Sequence, residues 1–321
     1  MTRIPLGAGP EFDRIRAIAD TLGESAGALG DDCAIVPDGD GTLVLSTDAS
    51  IENVHFRRGW MTAEEIGWRA AAAALSDLAA QGAMPVGLLA AIALPRETPA
   101  EDSTAIMRGV CRAAADSGAT VLGGDLSAAG EWMITVTVVG RAVHPVSRRG
   151  AAPGDGLWVT GALGAARAAL DAWRAGREPG AGAREAFAHP RPRIAAGRWL
   201  GEHGVRAMLD LSDGLAADAA HLAAASGCRA EIDLDSVPTA GDAVIAAIAA
   251  GIEPPLYAAA GGEDYELLAA LPAGFGEPDQ RRFEQATGLA LTRMGRMARG
   301  EGTRFTLRGE RVTLAGFDHF R

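Results

Sequence analysis

Leu43-Val-Leu-Ser-Thr-Asp-Ala-Ser-Ile-Glu-Asn-Val-His55 decides how this chain is read. A short apolar, β-branched-rich run passes into Ser46, Thr47 and Asp48. It predicts a buried strand that delivers hard oxygen ligands at its carboxyl end, followed by a loop carrying His55. Hydroxyl and carboxylate oxygens suit Mg²⁺ rather than a soft metal. Asp48 is therefore expected to anchor a magnesium–nucleotide site on which later Asp-bearing segments converge.

Other acidic segments repeat parts of this pattern. Upstream, Gly30-Asp31-Asp32 precedes a short strand. Adjacent carboxylates repel unless something positive sits beside them, although Gly-Asp is also an ordinary turn former. Downstream, Thr62-Ala-Glu-Glu65 is a capping box opening a helix to about Ala80, with Gly82 and Pro85 beyond. Asp77 falls in the C-terminal half of that helix, where a carboxylate opposes the dipole and needs compensation. Thr120-Val-Leu122 reads as a strand ending in Gly123-Gly124-Asp125, whose glycines let backbone approach a phosphate. Ala207–Gly214 runs from an apolar strand into Asp210, Ser212 and Asp213; Ser212 or Asp213 also suits the N-cap of a helix over Leu215–Ala225. Gly261-Gly-Glu-Asp-Tyr-Glu266 opens a further strand. Any one of these acids alone is ordinary turn chemistry. Asp31, Asp48, Asp77, Asp125, Asp210 and Asp213, spread over both halves, predict a polymetal site at strand ends.

Composition narrows the chemistry. At 321 residues and 48% hydrophobic, the chain suits two domains with a sizeable core. Aromatics are 5%, and the abundance of Ala and Gly favours close helix–sheet packing in an α/β or α+β enzyme. A net charge of −11 argues against a nucleic-acid partner, which needs a basic footprint. All 30 basic residues are Arg. Without Lys there is no Schiff-base chemistry and no P-loop lysine, so phosphate must be met by Arg, metal ions or backbone N–H groups. Cys33, Cys111 and Cys228 lack metal-type spacing and read as reduced thiols of a cytoplasmic protein. No signal peptide and no membrane-length apolar run is seen, so no membrane partner is expected.

The remaining elements fill an alternating pattern. Glu11–Leu22 has helical spacing, Val86–Leu94 reads as a buried strand, and Trp132–Gly140 alternates β-formers. Thr98-Pro-Ala-Glu101 is a second capping box with Pro at the first helical position. His144–Pro153 is turn-rich and basic, and is expected to join residues 1–147 to a second unit, 148–321. Arg148 and Arg149 there are either solvated linker charges or a phosphate clamp. Leu157–Thr160 starts the second α/β half, and Arg174–Arg191 is expected to be an exposed insertion. Gly316–Phe320 ends the chain with two aromatics and a His.

In order, GDDCAIV, LSTD, NVHF, LSDLAAQGA, GGD, DLSDGLAAD, GGEDYEL and GFDHF resemble the thiamine-monophosphate kinases, of the PurM-like ATP-binding superfamily. The resemblance covers about Gly30 to Phe320. It implies a PurM-like two-domain α/β fold, with the N-terminal ATP/Mg-binding domain pairing into a homodimer and ATP near that interface. It implies transfer of the ATP γ-phosphoryl group to thiamine phosphate, giving thiamine diphosphate. By motif, Asp31, Ser46, Thr47, Asp48, Asp77, Asp125, Asp210 and Asp213 would hold Mg²⁺. Gly124, Asp125, Arg148 and Ser212 would meet ATP; His55, Glu263 and Phe317 would meet thiamine phosphate. Three departures stand out: Ala74 where the family has Asn, Asn53 where it has Gly, and Leu126-Ser127-Ala128 where it has a Thr-Thr/Ser-Arg run.

A phosphate acceptor with a second pKa of about 6 is already largely ionised near neutrality, so no covalent nucleophile or strong base is needed. The difficulty is bringing two polyanions together, which Mg²⁺ and Arg148 would relieve in a direct in-line transfer. The alternatives are another PurM-like ATP-dependent enzyme, such as selenide water dikinase or aminoimidazole ribonucleotide synthetase, and a nucleotide-binding regulator without turnover. The former dikinase would carry an N-terminal reactive Cys or Sec with a Lys, which this chain lacks.

Overall fold

Thr62 caps the helix around which the first half is built. Its Oγ1 accepts from the Glu65 amide (3.2 Å) and the Glu65 carboxylate accepts from the Thr62 amide (2.8 Å), so both halves of the expected capping box form. In the computed structural model, which describes residues 4–22, 30–39 and 41–317, this helix is the second of ten α-helices among the described residues. The first half comprises α1 (Pro10–Leu22), β1 (Ala34–Asp38), β2 (Gly41–Ile51), α2 (Ala63–Ala80), β3 (Met84–Leu94), α3 (Ala100–Asp116), β4 (Thr120–Ala128) and β5 (Met133–Ala142). The second comprises β6 (Gly156–Thr160), α4 (Ala165–Arg174), α5 (Ala181–Ala188), α6 (Ile194–Glu202), β7 (Ala207–Asp210), α7 (Leu215–Ser226) and β8 (Arg229–Asp233). It continues with α8 (Gly241–Ala250), α9 (Pro254–Ala259), β9 (Leu267–Leu271), α10 (Glu277–Thr287), β10 (Leu291–Ala298), β11 (Gly302–Leu307) and β12 (Glu310–Val312).

The first sheet has the order β1-β2-β5-β3-β4, antiparallel except for the β3–β4 pair. One face is apolar because alternate residues, such as Leu88, Ala90 and Ile92 of β3 and Ile134, Val136 and Val138 of β5, point to α2 and α3. The other face leaves Val86, Leu89, Leu122 and Met133 exposed. The second sheet has the order β12-β11-β8-β10-β6-β9-β7, with only β8–β11 parallel. Its β6 and β9 are buried along their whole length.

Helix α2 is apolar nearly all round, and the reason is that it packs against both halves. It lies on β2, β5 and α3 on one side and meets β7, α5 and α6 on the other. Two helical glycines allow its contact with α3. A Cβ on Gly67 would stand 1.9 Å from the Ile106 carbonyl oxygen, and one on Gly109 would stand 1.9 Å from that of Glu64. Among the described residues no helix is long and apolar enough to cross a membrane.

Several local expectations change. The second capping box does not form: Pro99 itself is the N-cap of α3 and no side chain caps it. The strand at Thr120 does not stop at Gly123 but runs to Ala128, and β2 runs on past Asp48 to Ile51, so Asp125 and Asp48 are not strand-terminal. Ladder pairing with the long strands β3 and β5 carries both through. Arg174–Arg191 is not a bare insertion: it contains α5, whose Phe187 is fully buried. Neither Ser212 nor Asp213 caps α7, whose N-cap is Gly214. Gly23, expected to stop the first helix, and Asp318–Phe320 of the last motif lie outside the described residues.

Gly67→Ala or Gly109→Ala is expected to destabilise the protein by about 3 kcal/mol, because backbone would have to move rather than a side-chain tip. Urea unfolding monitored by circular dichroism checks this; an unchanged midpoint would show that the α2–α3 contact is not tight.

Candidate active site

Three carboxylates from separate parts of the chain meet in the interior. Asp32 follows the turn at Gly30, Asp77 sits on α2, and Asp210 ends β7; one oxygen of each lies within 4.8 Å of the others. Ser46 of β2 donates to Asp77 at 2.5 Å, supplying the compensation that a carboxylate late in a helix requires. Arg148 lies beside the cluster, its guanidinium paired with Asp32 and its side chain 14% exposed. It is therefore not a solvated linker charge.

Asp31 is engaged at the junction between the two halves. It accepts from the Gln81 amide (3.0 Å), the Arg148 backbone N–H (3.1 Å) and the Ser147 hydroxyl, so it ties the 147–148 junction to the end of α2. Asp32 faces the cluster instead, and its buried Oδ2 has no hydrogen-bond partner among the described residues. Burial pushes the Asp32 carboxyl up, and Asp77 well up, each helped by the neighbouring carboxylates. Asp210 is pushed from 3.8 to about 7 by burial, and further by Asp32. Three hard oxygen donors, one of them orphaned, with a single guanidinium between them leave a buried negative surplus. That donor set fits a hard divalent cation such as Mg²⁺.

A cavity of about 480 Å³ opens beside this cluster. Asp48, Asp77, Asp210, Ser212 and Asp213 supply carboxylate and hydroxyl groups to it. His55, Trp60, Phe187, Glu263, Tyr265 and Phe317 also line it. Burial raises the Asp48 carboxyl. Asp213 belongs to a second close group, with Asp218 and His221, and its amide donates to Asp218 at 3.2 Å. His55 Nδ1 accepts the Ile51 N–H at 3.1 Å, which leaves the proton of the neutral ring on Nε2. The turn that brings His55 there needs φ = 64° at Asn53. A glycine suits that conformation and Asn tolerates it, which accounts for one of the sequence departures. Glu263 and Tyr265 also have positive φ, 69° and 52°, and their amides donate to Ser212 and Leu211 carbonyls at 2.8 and 2.9 Å.

Two predicted residues lie elsewhere. Cross-strand pairing places Asp125 opposite Ala91, Ala91 opposite Thr135, and Thr135 opposite Ala49. Directly paired residues share a face, so Asp125 lies on the opposite face from Asp48, and three strand spacings, roughly 14 Å, away from β2. Its carboxylate accepts from Ser127 Oγ at 2.8 Å on the exposed edge strand. Gly124 is beside it on that edge. Thr47 borders the cavity, but its hydroxyl meets Thr137 Oγ1 at 3.0 Å. Motif reading gave no role to Asp32, Arg69, Trp60, Phe187 or Tyr265. The second acid of Gly-Asp-Asp was a visible signal for Asp32. Trp60 stacks on Trp173 of α4 (5.4 Å, 5°), a pairing across 113 positions that no local pattern announces.

Residues 30–142 match the family described as AIR synthase related protein, N-terminal domain, and residues 152–304 match its C-terminal domain. The chain is 38% identical to the thiamine-monophosphate kinase of Mycobacterium tuberculosis (strain ATCC 25618 / H37Rv), over 77% of this chain and 76% of that protein. It is 36% identical to that of Halobacterium salinarum, over 95% and 99%. Among solved structures, AaThiL complexed with AMPPCP and TMP superposes with a TM-score of 0.87 at 33% identity, covering 97% of each chain. The HypE–HypF complex, at 18% identity and a TM-score of 0.77, shares the fold.

The raised Asp210 carboxyl fixes the sign of a pH effect. Its contribution to stability is complete below about pH 4 and is lost as pH rises toward 7. In the presence of chelator, the melting temperature is expected to fall between pH 5 and pH 8 by several degrees more in the parent than in Asp210→Asn, and excess Mg²⁺ is expected to reduce the parent's fall. Equal pH profiles for the two proteins, unaffected by Mg²⁺, would show that the cluster is not under electrostatic stress.

Proposed function

This chain belongs to the AIR synthase related proteins and, within them, to the thiamine-monophosphate kinases, and on that premise we propose that it transfers the γ-phosphoryl group of ATP to thiamine phosphate. The observation that carries the proposal is the sharing of one cavity by Asp48, Asp77 and Asp210 with His55, Glu263 and Phe317. The first group suits a metal-bound polyphosphate, and the second suits a flat, partly cationic organic acceptor.

In this proposal Asp32, Asp77 and Asp210, with Asp48 and Asp213 close by, would hold Mg²⁺, which would supply charge screening between the two polyanions. The protein's own groups do the rest. Ser46 holds Asp77, and Arg148 holds Asp32 while offsetting part of the cluster's charge. Ser212 lies where a phosphate oxygen would approach. His55, with its proton on Nε2, orients the acceptor rather than removing a proton. Transfer is direct and in-line, because the acceptor phosphate is already ionised and the cavity needs no protein nucleophile.

We further propose a division into residues 1–147 and 148–321, a cytoplasmic location, and a homodimer formed through the outer face of the first sheet. The exposed Val86, Leu89, Leu122 and Met133 support such a contact. Gly124 and Asp125 lie on the edge strand of that sheet, so in a dimer they would approach nucleotide from the interface rather than from within one subunit.

With Mg²⁺ and ATP, thiamine phosphate is expected to drive stoichiometric formation of ADP and thiamine diphosphate, with no phosphoprotein trapped on rapid quench. Asp77→Asn is expected to lower kcat by about 10³-fold while the far-ultraviolet spectrum is unchanged. Nucleotide binding without acceptor-dependent ADP release would instead indicate a regulator.

A further inference from the structure

Arg69 is nearly fully buried on α2, eight residues before Asp77 and four before Ala73, so all three lie along one helix face. Ala73 and Asp77 line the cavity. Arg69 stands behind the cavity wall and holds three parts of it. Its guanidinium pairs with the Glu263 carboxylate Oε2. Its Nη1 donates to the Phe187 carbonyl at 2.8 Å, and the same guanidinium lies 3.9 Å from the Phe187 ring centroid and 5.9 Å from that of Tyr265.

Each of these partners belongs to the second half of the chain, and each lines the cavity. The 261–266 loop carries two non-glycine residues in the left-handed region, Glu263 and Tyr265, and such backbone persists only where surrounding contacts over-determine it. Its backbone ties are the Ser212 and Leu211 carbonyls. Asp264 and Glu266 are tied to the Gly164 amide and to Thr160 and Arg193, while Glu263 itself is held by a triad in which its Oε2 accepts from both Arg69 and the Tyr265 hydroxyl, the latter at 2.6 Å. Both described contacts of this carboxylate fall on Oε2, and Glu263 lines the cavity.

We infer that Arg69 is a positioning residue that fixes Glu263 and the Phe187–Tyr265 aromatic wall, and so determines affinity for the acceptor rather than for ATP. The inference rests on the proposed kinase activity for its kinetic consequence, but the clamp itself does not depend on it. A guanidinium is suited to the place because its planar fork serves a carboxylate, a carbonyl and a ring face at once. An apolar side chain of similar length would fill the volume and leave the half-buried Glu263 without its cation. Arg69 makes no contact with Asp32, Asp77 or Asp210 and reaches the acids only through its charge at Asp48, so removing it should weaken acceptor binding far more than it slows the chemical step.

The test uses the full chain with Arg69→Met, Arg69→Lys, Glu263→Gln and the Arg69→Met/Glu263→Gln double variant. For Arg69→Met, KM for thiamine phosphate is expected to rise at least tenfold, with kcat and KM for ATP within threefold of the parent. Arg69→Lys, which restores the cation but not the fork, should recover only part of the loss. The double variant should lose no more acceptor affinity than the worse single variant, since the two side chains act through one another. Independently of turnover, hydrogen exchange in Arg69→Met should accelerate at the Glu263 and Tyr265 amides and not in β2 or β7. Unchanged acceptor KM in a folded Arg69→Met protein would overturn the inference, as would additive losses in the double variant. A parent that exchanges as expected but does not phosphorylate thiamine phosphate would instead overturn the proposed function and leave the clamp supported.

Discussion

Three carboxylates brought within 4.8 Å of one another in the interior are what the rest of the site depends on. Like charges at that separation in a low-dielectric interior repel by several kcal/mol in effective terms, and one guanidinium cannot neutralise all three. The chain accepts this cost at a place where β7, α2 and the Gly30 turn converge, and it surrounds the cluster with donors that fix each acid. Ser46 fixes Asp77, Arg148 fixes Asp32, and Asp31 in turn fixes Arg148. A divalent cation bound there, as proposed, would convert the repulsion into coordination.

Helix α2 links this electrostatic arrangement to the architecture. Its ridge of alanines lets both halves of the chain pack against it, and Gly67 and Gly109 bring α3 in close. One helix therefore presents Asp77 to the cluster and Arg69 to the acceptor wall, at a spacing set by its own geometry. The cavity between them is built from both halves, so its shape follows from how each half packs on a single rigid element.

Most of the site was legible because carboxylate chemistry leaves local marks: acids after short apolar runs, with glycine or serine beside them. The capping box at Thr62 and the acid at the end of β7 formed where the pattern put them. Asp125 was misplaced because Gly123-Gly124 reads as a stop signal, whereas ladder pairing with β3 carries the strand through it. Asp31 was named through its motif; that Asp32 faces the cluster while three donors converge on Asp31 is a difference adjacent acids do not show in sequence. Arg69, Trp60 and Phe187 stayed hidden because their significance lies in partners more than 100 positions away. Asn53 was seen as a departure, and its backbone conformation explains why it is tolerated.

Counting bound Mn²⁺ by electron paramagnetic resonance, with a non-hydrolysable ATP analogue present, tests the shared-acid account most directly. The parent should bind more than one ion per chain, and Asp32→Asn, Asp77→Asn and Asp210→Asn should each lose at least one while remaining folded. Unchanged stoichiometry in all three variants would contradict it.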